Sequence, residues 1–172
     1  MDMDGEKRRA EILNILGTAV KPVSASKLAT QFSVSRQIIV GDIALLRASG
    51  QQIVATARGY LIESNQEGVI AKIVCLHRPD QTEEELTCIV ELGGEVLDVI
   101  VAHPIYGELT GNLRIANKES VQRFIEAYRE GQAALLSELT GGIHLHTIRC
   151  ENQRVLASIK DALRQKGILY HG

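Results

Sequence analysis

The chain has no tryptophan, two phenylalanines, four tyrosines and three prolines among 172 residues. Its core must therefore be aliphatic. Apolar residues make up 45% of the chain, enough to exclude global disorder. No apolar run approaches the roughly 18 residues a membrane-spanning helix needs. The opening stretch, Met1-Asp2-Met3-Asp4-Gly5-Glu6-Lys7, is charged and has no apolar segment of the signal-peptide kind. A cytoplasmic protein with no membrane partner is expected. Cysteine is scarce as well. Cys75, Cys88 and Cys150 are odd in number, far apart and form no C-x-x-C pair, which predicts buried free thiols rather than a redox pair.

The net charge of −2 hides an asymmetry. From Lys7 to Tyr60 eight basic residues face only Glu11 and Asp42, whereas from Glu67 onward eleven basic residues face fifteen acidic ones. A basic first third joined to an acidic remainder fits a nucleic-acid reader attached to a sensing domain. Residues 1–64 carry the pattern of the reader. Ala10, Ile12, Leu13, Ile15 and Leu16 give one helical apolar face after Asp4, a possible cap. Ser24 can cap a short second helix holding Leu28, Ala29 and Phe32. A tight turn over Gln31–Ser35 leads into a third helix from Arg36 to about Ser49, stopped by Gly50. That succession is a helix-turn-helix, with Leu28, Val34, Ile39, Ile43 and Leu46 as its expected core. Gln52–Thr56 and Tyr60–Ile62 read as the two strands of a β-wing turning at Ala57-Arg58-Gly59.

In that arrangement Arg36, Gln37 and Val40 share the outward face of the third helix with Gly41, where Arg and Gln suit guanine and adenine edges in the major groove. Ser33 and Ser35 suit phosphate contacts, and Arg58 at the wing tip would reach phosphate or the minor groove. The bland alternative is a three-helix interaction module with solvated arginines.

After a polar linker at Glu63–Gly68, residues 68–172 alternate differently. Strands are expected at Val69–Leu76, Glu95–Ala102, Leu109–Ile115 and His144–Cys150. Helices are expected at Thr82–Leu92, Lys118–Ser137 and Asn152–Lys166. The order βαββαβ with a final helix predicts a ferredoxin-like α+β domain. The chain as a whole would then be α+β, a winged helix-turn-helix followed by that sheet.

Gly142-Ile143-His144-Leu145-His146-Thr147 puts two imidazoles two residues apart in a β-prone run, hence on one face. His77 closes the first strand of this domain, and Glu85 follows in the next helix. Three imidazole nitrogens and a carboxylate suit a divalent transition ion such as Zn, Ni, Fe or Co rather than Mg or Ca. Alternatively, His144 and His146 simply cover a sheet face, and Glu83, Glu84 and Glu85 form a solvated helix start. His103 can complete the pocket, hold a ligand or bond within a turn. Arg78 and Tyr106 can meet a small acid or remain surface residues. A thiolate ligand from Cys75 or Cys150, which share the parity of the histidines, is a weaker option.

The segments Arg36–Ile43 and Ala57-Arg58-Gly59-Tyr60 resemble the winged helix of the niacin-responsive repressors of NAD biosynthesis and niacin uptake genes. His77-Arg78-Pro79, His103-Pro104-Ile105-Tyr106-Gly107-Glu108 and His144-Leu145-His146-Thr147-Ile148 resemble the 3H domain of the same family. The resemblance covers almost the whole chain. It implies a non-enzymatic homodimeric repressor of double-stranded operator DNA, with a divalent transition metal such as Ni, Zn or Fe. It also implies nicotinic acid, a small pyridine carboxylate, as co-repressor. Carried over by motif, the metal ligands are His77, Glu85, His144 and His146. From the reading of the residues themselves, effector contacts are sought at Arg78, His103 and Tyr106. Where family members commonly have a larger polar residue in the recognition helix, this chain has Gly41. A regulator that senses the metal itself and a small metalloenzyme are the rival functions.

Overall fold

The computed structural model describes residues 4–63, 68–131 and 134–171. Residues 64–67 of the expected linker Glu63–Gly68 lie outside them. The chain divides between residues 65 and 66 into two compact units. None of the described helices is long and apolar enough to cross a membrane.

The N-terminal unit is three helices and a hairpin. Helix α1 spans Gly5–Thr18, α2 Ala25–Phe32 and α3 Arg36–Ala48. Asp4 stands at the N-cap of α1 without a side-chain bond. Ser24 caps α2 by accepting from the Lys27 amide at 3.1 Å, and Ser35 caps α3 through the Ile38 amide at 3.2 Å. Between them Ser33 takes a left-handed conformation, φ 54°, which makes the turn sharp. Ile12, Leu16, Leu28, Ile39, Ile43, Leu46 and Ile53 fill the core, with Val34 only half-buried at its edge.

The wing is the antiparallel pair β1, Ile53–Thr56, and β2, Gly59–Ile62. It is tied to the segment before α2 by reciprocal backbone bonds of 2.8 Å between Val23 and Tyr60. Gly59 permits that approach. Its φ is +133°, and a Cβ there would lie 2.4 Å from the Val23 carbonyl.

The C-terminal unit is one antiparallel sheet with its helices packed on one face. Its strands are β3 (Val69–Leu76), β4 (Glu95–His103), β5 (Gly107–Ile115) and β6 (Ile143–Cys150), in the order β3-β6-β4-β5. Helix α4 (Thr82–Glu91) connects β3 to β4, and α5 (Lys118–Glu130) connects β5 to β6. Each crossover returns to a strand parallel to its start, and a third strand fills the gap, so every neighbouring pair is antiparallel. The α+β class is as expected. Within it β6 and β4 hold the centre, where a ferredoxin sheet has its first and third strands. Helix α6 (Gln153–Gln165) completes the layer, and the chain after it pairs with the free edge of β3, Cys75 opposite Leu169.

Ile73, Val96, Ile115 and Ile148 of the sheet pack against Leu86 and Ile89 of α4, Val121 and Ile125 of α5, and Ile159 and Leu163 of α6. The core is aliphatic, as the composition requires. The three cysteines are buried and free.

The helix expected to run from Lys118 to Ser137 stops at Glu130, because Gly131 turns the backbone to an extended conformation, ψ 147°. Residues 132–133 lie outside the described set. Leu135 is extended, and a 3₁₀ turn follows over Leu136–Thr140. The apolar residues that prolonged the helical pattern line a cavity instead.

Candidate functional site

The register of β3 on β6 assembles the histidine cluster. Cys75 pairs with His144 and Ile73 with His146, so both imidazoles lie on the helix-covered face of the sheet. His77 follows Cys75 by two residues, just past the end of β3. Gly142, at φ +102°, lets the start of β6 pass so close to His77 that a Cβ would sit 2.6 Å from the His77 carbonyl oxygen. From the helix layer, Thr82, Glu85, Leu86 and Ile89 share one face of α4 at helical spacing, and all four are buried. Glu83 and Glu84 point elsewhere: Glu83 meets Gln122 and Arg129, and Glu84 meets Lys166.

The result is three imidazoles around one carboxylate. His77 Nε2 lies 2.7 Å and His144 Nε2 2.9 Å from Glu85 Oε2, and His146 Nε2 lies 2.8 Å from Oε1. Glu85 is 1% exposed and the three histidines are buried. The rings stand edge to face, with centroids 4.8 Å apart for His77–His144 and 4.7 Å for His144–His146.

Each ring is pinned from behind by Nδ1. The acceptors are the carbonyls of Arg78 at 2.7 Å, Gly142 at 2.8 Å and Asp98 at 2.7 Å. The Asp98 carbonyl is available because β4 bulges there, its register shifting between Val96 and Asp98. The Asp98 carboxylate also accepts from the Thr147 amide at 2.9 Å, which fixes β6 beside it.

This geometry fits a cation. A carbonyl only accepts, so each Nδ1 must carry a proton and donate it. In a neutral imidazole the Nε2 is then a bare lone pair. Three lone pairs would face a carboxylate that itself only accepts. Either the rings are protonated, which gathers about two excess positive charges in a buried site, or a positive ion stands among neutral rings and the carboxylate.

The cluster's own charges act on one another. Burial alone would raise the Glu85 pKa, but the His146 charge and the bonds from all three rings hold the carboxyl well below its usual range. Burial alone would lower His77 and His146, but the Glu85 carboxylate pulls both above their ordinary value. The alternative set of three neutral nitrogens and a carboxylate is the donor chemistry of Zn, Ni, Fe or Co, with the Nδ1 bonds orienting the ligands. Cys75 adjoins this set, its Sγ within 4.8 Å of ligand atoms of Glu85 and His144. Burial and then the Glu85 charge push its thiol strongly upward, so it stays protonated without a metal.

A cavity of about 210 Å³ opens beside the cluster. His77, Glu85, His144 and His146 form one end, and Leu86, Val99, Leu113, Phe124 and Leu136 form apolar walls. Apolar cavities of about 150 Å³ accept benzene, so this volume suits one substituted aromatic ring.

The three residues expected at the effector do not line this cavity. Arg78 is exposed, pairs with Asp80 at 3.1 Å, and borders an adjacent groove with His77, Ser137 and Gly142. His103 Nδ1 accepts from the amides of Ile105 and Tyr106 in the β4–β5 turn, the third of the alternatives open to it. The Tyr106 ring lies 5.0 Å from that of His103 and is exposed. The tight β4–β5 turn thus satisfies the His103 ring nitrogen locally. Sequence reasoning missed Thr82 and Ser137, which line the cavity, and the Asp98 carbonyl. Thr82 was detectable from its helical spacing with Glu85, whereas the carbonyl leaves no side-chain signal.

In the N-terminal unit Ser33, Ser35, Arg36, Gln37 and Val40 are all exposed, as are Gly41 and, at the wing tip, Arg58. A Cβ on Gly41 would meet nothing within 4 Å. Ser35 Oγ accepts from the Ile38 amide, which leaves its hydroxyl hydrogen for another acceptor. Asp42, one residue inward, is 4% exposed. It accepts from Arg8 Nε at 2.6 Å and from Arg9 Nη1 at 3.3 Å, which ties α1 to the recognition helix. The sequence reading had counted Asp42 only as a charge.

Residues 70–172 match the family model of the 3H domain, and residues 8–61 match that of a helix-turn-helix domain. The chain is 41% identical over 164 residues to a probable transcription repressor NiaR of Thermotoga maritima, covering 95% of this chain and 94% of that protein. It is 39% identical over 169 residues to the transcription repressor NadR of Bacillus subtilis, covering 96% and 94%. Both relatives are named as transcription repressors, not enzymes.

Proposed function

The chain belongs to the 3H-domain family of helix-turn-helix transcription repressors, and from that premise we propose that it is a cytoplasmic, homodimeric repressor controlled by a small pyridine carboxylate. Nicotinic acid is the effector and genes of NAD biosynthesis or niacin uptake are the targets, an assignment that rests on the motif resemblance. The observation that carries the ligand reading is the set of three pinned imidazoles aimed at the Glu85 carboxylate beside a cavity the size of one ring.

His77, Glu85, His144 and His146 hold a divalent transition ion. Bound there, the ion supplies positive charge and a Lewis-acidic face to the cavity. The cavity lining includes no Lys or Arg among the described residues. A divalent ion with one carboxylate leaves a charge of about +1 in an otherwise apolar site, which favours a monoanionic ring acid over its neutral amide.

In the reader, Arg36, Gln37 and Val40 meet base edges, and Ser33, Ser35 and Arg58 meet phosphates. Two chains present two recognition helices to half-sites about one helical turn, or a multiple of it, apart. Nicotinate strengthens repression only by binding the DNA-competent state more tightly, with a coupling of about 1–3 kcal/mol, or roughly 5–150-fold.

The test is an anisotropy titration of Ni²⁺-loaded protein on duplex DNA selected by this protein from a random pool, with and without nicotinate. Nicotinate should tighten binding by at least about fivefold. Unchanged affinity overturns the effector reading. If chelation or a change of metal alone moved the affinity, the metal-sensing alternative would take its place.

A further inference from the structure

The two edges of the C-terminal sheet differ. The β3 edge is covered by the chain's own C-terminal segment: Cys75 bridges to Leu169, and the Tyr170 amide donates to the Val74 carbonyl at 2.9 Å. At the other edge β5 ends the strand order, and among the described residues only β4 pairs with it. An uncovered edge strand is a template for another strand, and proteins that avoid such pairing place lysine, proline or a bulge there. The strand Gly107-Glu108-Leu109-Thr110-Gly111-Asn112-Leu113-Arg114-Ile115 has neither lysine nor proline. The irregularity in its pairing lies at one end, next to Arg114 with φ 52°, and from Gly107 to Asn112 it matches β4 residue by residue.

Read in reverse, β5 is complementary to itself. A two-fold axis through Gly111, perpendicular to the sheet, sets two copies of the strand antiparallel. Thr110 then faces the partner's Asn112, Leu109 the partner's Leu113, and Glu108 the partner's Arg114, each twice by symmetry. Hydroxyl meets amide, leucine meets leucine, and opposite charges meet at the ends. Such cross-strand pairs stabilise a sheet, whereas like charges opposite one another destabilise it. Gly111 meets only its own copy, with no side chain to hold the strands apart. An axis one residue to either side sets Leu109 or Leu113 against Gly111 and separates the two charges. Burial alternates as this requires: Glu108, Thr110 and Asn112 are exposed, and Leu109, Gly111 and Leu113 are half-buried. Beyond the strand, Ile105 and Tyr106 are 80% and 72% exposed. In the same register they lie past the end of the partner's β5, beside the partner's Ala116 and the partner's Asn117. Large apolar side chains left in solvent beside an uncovered edge mark an interaction surface.

We propose that two copies of this chain join along the uncovered edge of β5, with the two-fold axis at Gly111, and that two four-stranded sheets thereby become one. This rests on the homodimer reading above and adds the interface to it. Gly111 and Leu113 also belong to the cavity wall, so a ligand in the cavity touches the strand that holds the dimer together.

The experiment is analytical ultracentrifugation of the full-length protein over a range of concentrations, on wild type, T110K/N112K and T110E/N112K. Both positions are exposed, so all three should give the same circular dichroism spectrum. T110K/N112K sets lysine against lysine twice across the axis and should weaken dimerisation by at least about tenfold. T110E/N112K differs only at residue 110, sets glutamate against lysine, and should dimerise within about threefold of wild type. A T110K/N112K dimer as tight as wild type, or equal weakening by both variants, overturns this interface while the homodimer reading stands. A wild type that sediments as a monomer at every concentration overturns both.

Discussion

Replacing Glu85 by Gln keeps the shape of the side chain and removes the charge on which three rings converge. At about pH 6, metal-free wild type holds protonated His77 and His146 against the ionised carboxylate. Removing one partner from a buried ionic cluster costs about 3–5 kcal/mol when the rest stays charged. The rings can discharge instead, so a loss of about 3 kcal/mol is expected for E85Q. For a domain near 100 residues each kcal/mol is about 4–8 °C in Tm, which makes the drop more than about 10 °C.

The pH dependence has a definite sign. Histidines raised above about 6.5 contribute stability that is complete below that value and is lost as pH rises through their folded pKa. The depressed Glu85 contributes above about 4.3, and its share is lost as pH falls through its folded pKa. Metal-free wild type should therefore be most stable near pH 5–6, and E85Q should show a flatter profile.

Metal binding reverses the alkaline limb, since it needs neutral rings and the stabilisation it gives grows with pH. With Ni²⁺ at about 100 times the wild-type Kd, wild type gains about 2.7 kcal/mol. Loss of an anionic ligand weakens binding by about 100-fold, at the top of the range seen for the outer-shell partners of metal ligands. E85Q at the same nickel concentration then gains only about 0.4 kcal/mol. Scanning calorimetry with and without nickel across pH 5–8 measures all of this. A full nickel-induced shift in E85Q, or a pH profile matching wild type, refutes the reasoning.

Three further outcomes follow from the N-terminal unit. D42A removes the acceptor shared by Arg8 and Arg9 and should destabilise that unit by about 2–4 kcal/mol in thermal unfolding, whereas an unchanged transition would remove the tether from the account. G59A forces a Cβ against the Val23 carbonyl and should cost more than about 2 kcal/mol. The amide resonances of Val23 and Tyr60 would report it by losing exchange protection. R36A should lower operator affinity by about 1–3 kcal/mol and relax preference at one base position, while R58A should weaken all sequences alike and reduce the salt slope by about one. Binding assays at several salt concentrations separate the two, and identical behaviour would contradict the assignment of roles.

Much of the site was legible before the structure because it follows from parity. His144 and His146 had to share a face once their run was read as a strand, and His77 had to end on the same side as Cys75. Glu85 was distinguishable from Glu83 and Glu84 by its spacing to Leu86 and Ile89, a helical pattern that also marks Thr82. Backbone groups were not legible. The carbonyls that pin the rings, above all that of Asp98 at the β4 bulge, depend on a register shift that no side chain announces.

Helical periodicity carried the reading of α5 seven residues too far. Leu135 and Leu136 serve the cavity wall as well as they would have served a helix face, and only Gly131 hinted at the stop. The structure does not bring Arg78, His103 and Tyr106 to the cavity beside the histidine cluster. Charge and aromaticity in a loop invite a ligand, but a tight hairpin satisfies His103 with its own amides.

The proposed function rests on three imidazoles and Glu85 acting together on one ion. X-ray absorption at the nickel edge of the loaded, full-length protein addresses this directly. The account predicts one nickel per chain with three imidazole nitrogens and carboxylate oxygen in its shell, and the loss of one imidazole signal in H146A. A shell with one imidazole or none, or one dominated by sulfur from Cys75, would contradict it.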